Sequence, residues 1–313
     1  MFSAVEDYPR NVREFEERFA TEGACRAYLM ALRWPNGFRC PRCRGAKTWP
    51  VRGVLLECAT CGHQASVIAG TIFQDTRTPL MLWFRAMWWV TNQKTGVSAL
   101  GLQRVLGLGS YKTAWSWLHK LRRAMVRPGR DRLTGYVEVD EAYVGGVHPG
   151  RGGRQTDTKA LVGVAVQLEG RRLGRIRLRR LPDASGPSLV AFIQDAVESG
   201  SVLHTDGWAG YEALERHGYE HSVTVLQRHR KPPSELLPHV HPVVSLLQRW
   251  LLGTHQGAVT HEHLDYYLDE FTFRFNRRRS RSRGKLFFRL VEQAVAVDPA
   301  PYRSLVKYAE PAP

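Results

Sequence analysis

The chain has 313 residues, with 45 Lys+Arg against 29 Asp+Glu, a formal net charge of +16 and an isoelectric point near 10.0. Its 43% hydrophobic content permits a sizeable core and excludes general disorder. No apolar run reaches the ~18 to 20 residues of a membrane helix: Pro79 to Val90 is too short and is broken by Arg85. Met1 to Arg10 carries Glu6 and Asp7 and lacks the apolar stretch of a signal peptide. These features predict an intracellular, cytoplasmic basic protein with a polyanionic partner and no membrane contact.

Residues 1–34 read as an N-terminal helical segment, with one amphipathic helix over 11–33 carrying Phe15, Phe19, Ala27, Leu29 and Leu32. Residues 35–75 hold four of the five cysteines as Cys40-Pro-Arg-Cys43 and Cys58-Ala-Thr-Cys61. Two residues between cysteines let both sulfurs of a tight knuckle reach one ion, and two knuckles complete a tetrahedral S4 shell suited to structural zinc. Gly45 and Gly62 follow the knuckles and are expected to permit the turns. Val51, Gly53 and Leu55 alternate as in a hairpin, and Cys25 reads as a small core residue.

Residues 79–126 read as helical. Val97 to Gly107 and Ser110 to Met125 flank a short turn at Leu108-Gly109, with Ser110 placed to cap the second helix. This suggests a helix-turn-helix whose second helix carries Lys112, Arg122 and Arg123 as DNA-contacting residues. Tyr111, Lys112 and Ser116 or His119 would then face DNA, with Trp115 and Leu118 packed inward.

From residue 133 the period changes. Strands are expected at Gly135 to Val144, Leu161 to Leu168, Arg172 to Leu181, Ser201 to Thr205 and His221 to Leu226. Helices are expected at Pro187 to Glu198 and Trp208 to His217. Three strands, a helix, a strand, a helix and a strand is the element order of an α/β, ribonuclease-H-like domain: a mixed five-stranded sheet with flanking helices. Its expected extent is 133–295, followed by a tail over 296–313.

Two segments set acids at strand ends: Glu138-Val139-Asp140-Glu141 and His204-Thr205-Asp206-Gly207. A third, His239-Val240-His241, precedes a helix running to about Leu252. Alternation puts Asp140 and Glu138 on one face of a strand and Glu141 on the other. Acids at the tips of neighbouring strands, with a ligand from a helix start, can hold two divalent cations for in-line phosphoryl displacement.

At these residues the chain resembles an insertion-sequence transposase of the ISXO-like group, with an N-terminal zinc ribbon and a DDE-type catalytic domain. The matching stretches are the two Cys-x-x-Cys knuckles, Ala69-Gly70-Thr71-Ile72-Phe73, Glu138 to Gly146, Thr205 to Tyr211, Arg249 to Val259 and Tyr267 to Arg278. The resemblance runs from about residue 15 to 295. It implies a ribonuclease-H-like fold and DNA cleavage and strand transfer with Mg²⁺, or Mn²⁺ in its place. Asp140 and Asp206 match the first two acids. The third position, often Glu or Asn with Lys or Arg seven residues on, is occupied by His241, with Gln248 seven residues later. His239, Glu262 and Glu270 are the alternatives for the third ligand. The implied partners are the element's terminal inverted repeats and target DNA, held by a homodimer at the nucleoid.

The stretch Asn276 to Lys285 is dense in cations, including Arg277, Arg278, Arg279 and Arg281, and Gln227 to Lys231 adds Arg228, Arg230 and Lys231. Such runs suit phosphate contact. Arg151 to Arg154, interleaved with glycines, reads as a loop that touches phosphate. A non-catalytic zinc-ribbon/helix-turn-helix regulator and a ribonuclease-H-like nuclease remain the competing readings.

Overall fold

The computed structural model describes residues 6–127, 129–145, 159–170, 172–224, 237–256 and 259–306. The first elements are α1 (Val12–Arg18), α2 (Glu22–Arg33), β1 (Thr48–Val51), β2 (Leu55–Cys58), β3 (Gln64–Ser66), α3 (Leu80–Asn92), α4 (Ala99–Leu106) and α5 (Tyr111–Ala124). Then come β4 (Tyr136–Val144), β5 (Ala160–Glu169), β6 (Arg172–Leu181), α6 (Gly186–Ala196), β7 (Val202–Thr205) and β8 (Glu220–Val223). The chain continues through α7 (Val240–His255), α8 (Leu264–Asn276), α9 (Arg283–Ala294) and α10 (Tyr302–Val306). They form two compact units, one from residues 1–128 with 279–313 and one from 129–278.

In the first unit, the helix expected over 11–33 is two helices. Thr21 restarts the chain as an N-cap, its hydroxyl accepting from Ala24 N at 3.2 Å. The core is aromatic. Phe15 stacks on Trp88 with centroids 4.7 Å apart and meets Phe287 edge-on at 5.4 Å, while Trp83 stacks on Trp117 at 3.9 Å. Phe287 lies on α9, whose apolar face (Leu286, Phe287, Leu290, Val291) is buried in this unit. α9, which the expected extent 133–295 includes, thus lends its apolar face to the core of the first unit.

The α4-turn-α5 pair follows the sequence closely. Gly107 ends α4 in the left-handed region, and Ser110 Oγ accepts from Thr113 N at 3.1 Å. The outward face of α5 follows it at Tyr111 and Lys112, which are exposed, and not further on: Ser116, His119 and Arg122 are buried, while Trp115 is only half-buried. α5 is packed by α4, α9 and α10, so more than one of its faces is covered.

The second unit holds a five-stranded sheet in the order β6-β5-β4-β7-β8. β4, β5 and β6 pair antiparallel, and β7 joins β4 in parallel, as does β8 to β7. This mixed sheet with flanking helices is the ribonuclease-H-like arrangement. Alternation gives each face its own core. Val137, Val139 and Leu203 face α6 and Tyr211, whereas Val144, Val162 and Val164 face α7 and α8. The helix expected over 208–217 is two single 3-10 turns, Ala209–Tyr211 and Glu215–His217. Gly210 there is crowded: a Cβ would meet Leu189 at 2.7 Å and the Trp208 ring at 2.9 Å.

Candidate active site, zinc centre and basic surfaces

The ribbon brings the thiols of Cys40, Cys43, Cys58 and Cys61 within 4.8 Å of one another. Cys40 and Cys61 lie 3.7 Å apart and Cys43 and Cys58 3.6 Å apart. A tetrahedral S4 shell with Zn–S bonds of about 2.3 Å needs sulfur separations of about 3.8 Å, so the four thiols fit zinc. The two knuckles share one turn geometry. Arg44 N returns to Cys40 O at 2.9 Å, and Gly62 N to Cys58 O at 2.9 Å. Arg44 (φ 63) and Gly62 (φ 66) take the left-handed residue of each turn. Gly45 therefore does not supply the positive φ expected of it. It is needed for space, since a Cβ there would lie 2.6 Å from Thr60 Oγ1 and 3.2 Å from Cys58 Sγ.

In the second unit, parallel pairing sets Tyr136 against Val202, Val137 against Leu203 and Glu138 against His204. Two residues beyond this last pair come Asp140 on β4 and Asp206 just past the end of β7, close enough for the Asp206 charge to act on the Asp140 carboxyl. Asp140 Oδ1 accepts the N–H of Glu141 at 2.8 Å, and Asp206 Oδ1 accepts the N–H of Trp208 at 3.0 Å. Burial pushes the Asp140 carboxyl up to about 7, aided by the charges of Glu141, Asp206 and Glu138. Glu141 is also raised, by burial first and by Asp206. Like charge gathers here around buried carboxyls, as in a site that receives cations.

The neighbouring acids are tied down. Glu138 is 2% exposed. Its Oε2 accepts from His239 N (2.9 Å) and Val240 N (3.2 Å), and its Oε1 lies 2.6 Å from His239 Nδ1. Burial would raise Glu138, but its histidine and backbone partners hold it below the ordinary range. His204 Nδ1, at 3.9 Å, is too far for a hydrogen bond. On the opposite face, the buried Tyr211 hydroxyl donates to Glu141 Oε2 at 2.5 Å.

His241 stands in the first turn of α7, and its Nε2 is buried with no hydrogen-bond partner among the described residues. An orphaned imidazole nitrogen on the Asp140 side of the sheet suits a third ligand. Among the described residues, only the cysteines gather three or more ligand atoms within 4.8 Å, so Asp140, Asp206 and His241 stand wider apart than the thiols. Gln248, two helical turns further on, donates from Nε2 to Tyr143 O at 3.4 Å. Of the alternative third ligands, His239 is engaged by Glu138, and Glu270 is buried in α8 and paired with Arg274 at 2.7 Å. Glu262 is exposed in the turn His261–His263.

The expected DNA-contacting cations divide. Arg122 is 1% exposed and cannot reach a phosphate from the core. Arg123 is half-buried, and Lys112 is exposed, with Nζ 4.0 Å from the Tyr302 ring. Arg277 donates to Phe273 O and lies over the Phe273 ring. Arg278 donates to the carbonyls of Leu173, Gly174 and Phe275, so its guanidinium is a structural clasp. Arg279 and Arg281 are exposed in the first unit. Arg228, Arg230, Lys231 and the loop from Arg151 to Arg154 lie outside the described residues.

Sheet order and flanking helices define a ribonuclease-H-like fold, and the four thiols define a zinc ribbon. Residues 132–276 match the ISXO2-like transposase domain, and residues 20–64 match the transposase zinc-ribbon domain. Both matched domains are those of insertion-sequence transposases. The chain is 27% identical over 277 residues to an uncharacterized protein in transposable element ISH50 of Halobacterium salinarum, covering 82% of this chain and 91% of that relative. It is also similar to a chain of the simian T-cell lymphotropic virus intasome in complex with PP2A regulatory subunit B56 gamma. That likeness has 16% identity and a TM-score of 0.30, and it covers 53% of this chain and 63% of that one. No helix among the described residues is long and apolar enough to cross a membrane.

Proposed function

We propose that the protein cleaves DNA at the ends of an insertion sequence and joins the freed ends to target DNA, inside the cell that carries the element. The observation that carries this reading is the parallel β4–β7 pairing, Glu138 against His204, which supports a shared site for Asp140 and Asp206 two residues further along each segment. Two divalent cations, Mg²⁺ or Mn²⁺, would supply Lewis-acid activation of the attacking oxygen and charge neutralisation at the phosphate. Asp140, Asp206 and His241 would hold them. A neutral imidazole adds no negative charge, so His241 shifts preference toward Mn²⁺ relative to a carboxylate. Lys112, Arg123, Arg279 and Arg281 would contact phosphate, giving position and affinity rather than sequence choice. Two copies of the chain would pair two element ends.

Asp140→Ala and Asp206→Ala are expected to abolish cleavage of element-end DNA and leave binding in a gel-shift assay nearly intact. Cutting and joining at the unmutated rate by either variant would show the site is elsewhere. Strand joining separates a transposase from a nuclease on the same fold. A regulator that only binds DNA needs neither acid.

A further inference from the structure

Strand β4 presents three acids in four residues, and the two glutamates are bonded to groups on other segments of the chain. We infer that Glu138 and Glu141, which flank Asp140, are positioning residues that strap the other two ligand-bearing segments to the catalytic strand. The inference rests on the proposed function, since it assigns these residues to the same metal site.

Glu138 shares the face of Asp140, two residues away, and that face is covered by α7. Its carboxylate takes the backbone N–H groups of His239 and Val240 and the ring nitrogen of His239. These are orphan donors at the start of α7, and a carboxylate is the group that a helix N-terminus favours. Helix starts are ordinarily capped by a residue of their own chain segment. His239, at the cap position here, offers no such side-chain bond, and the cap comes from β4. The strap therefore fixes where His241, in the first turn of α7, stands relative to Asp140.

Glu141 faces the other side of the sheet. It receives the hydroxyl of Tyr211, which is 0% exposed and lies five residues after Asp206. The segment between them is tight. Asp206 binds the N–H of Trp208, and Tyr211 N donates to Trp208 O at 3.0 Å. A short, internally bonded link anchored at both ends transmits position, so the Tyr211–Glu141 bond sets the approach of Asp206 to β4. One strand thus carries a ligand in the centre and a strap on each face, one for each of the other two ligands.

Strap and ligand roles give opposite orders of variant severity. An amide can replace a carboxylate in either strap. In Glu141→Gln the new amide oxygen would still accept from the Tyr211 hydroxyl. In Glu138→Gln the amide would accept the two backbone N–H groups and donate to His239 Nδ1 in its other tautomer. A charged metal ligand tolerates no such exchange. The test uses the zinc-loaded full chain and measures Mn²⁺ binding from the free-ion electron paramagnetic resonance signal, with cleavage and thermal melting in parallel. Tyr211→Phe and Glu138→Ala are expected to weaken Mn²⁺ binding about 10-fold or more, as loss of an outer-shell partner does, while Glu138→Gln and Glu141→Gln stay within about threefold of wild type. Tyr211→Phe removes one oxygen from the core, which keeps the test open if Glu138→Ala does not fold. Glutamine variants as damaging as Tyr211→Phe, or a Tyr211→Phe protein with wild-type Mn²⁺ affinity, would overturn the inference and leave the proposed function standing. Mn²⁺ binding that survives Asp140→Ala would overturn both.

Discussion

Asn276 pairs with both backbone groups of Ile176: its Oδ1 accepts the N–H at 2.7 Å and its Nδ2 donates to the carbonyl at 3.1 Å. β6 is an edge strand, and the amide fills one rung of its open ladder. Nearby, Arg278 takes the carbonyls of Leu173 and Gly174, and Asp265 accepts from Arg180 N at 3.3 Å. From Asp265 in its first turn to Arg278 just past its end, α8 therefore covers this edge. Asn276→Ala should cost about 1–3 kcal/mol, the penalty for a buried peptide group left unpaired. Thermal unfolding should show the loss, and Asn276→Asp, which keeps only the acceptor, should fall between.

The acid cluster makes the stability of the metal-free protein depend on pH. With the Asp140 carboxyl held up to about 7 by burial and by neighbouring charge, the folded chain keeps a proton that the unfolded chain releases near pH 4. Stability from this group accordingly falls as pH rises from about 4 to 7, and the repulsion persists above that. Asp140→Asn should raise the melting temperature at pH 8, by a stabilisation of about 1–3 kcal/mol. At pH 5.5 the gain should be smaller. Melting curves at the two pH values check this; equal gains at both would contradict it.

Removing zinc should unfold the ribbon. Chelation or Cys40→Ser is expected to lower the melting temperature and weaken binding to element ends, because a closed S4 site contributes folding energy directly. Unchanged melting would contradict structural zinc.

The two knuckles invite opposite substitutions. Arg44 occupies a left-handed position that costs a side chain roughly 1 kcal/mol or more, so Arg44→Gly should be tolerated or mildly stabilising. Gly45→Ala must displace Thr60 or Cys58 and should weaken zinc retention in a chelator competition assay.

His241 can be separated from a bystander by its metal profile. His241→Ala should depress cleavage in both Mg²⁺ and Mn²⁺, whereas His241→Glu should recover Mg²⁺-supported cleavage preferentially. Parallel rates for the two variants in both metals would remove His241 from the ligand set.

Much of this architecture is legible in the chain itself. Cysteine spacing announces the ribbon, Gly107 and Ser110 mark the α4–α5 turn, and period-two patterning marks the strands of the sheet. Contacts over long separations are not legible. Glu138 meets His239 and Asn276 meets Ile176 across about a hundred residues, and no local pattern encodes either. Burial on several sides of α5 hides Arg122 and His119, because helical period alone reports one face. A single helix over 11–33 overlooks a local signal that is present, Thr21 before Glu22, which is a cap followed by a first-turn acid.

The aromatic core of the first unit, around Phe15 of α1 and Phe84 of α3, draws Phe287 from a point in the chain beyond the whole sheet. A ribosome must therefore translate through the whole second unit, and release α9, before the first unit can close around its hydrophobic centre. The sheet, contained in one continuous stretch, is free to mature first. A frameshift or nonsense codon after residue 278 would consequently strike hardest at the half encoded earliest.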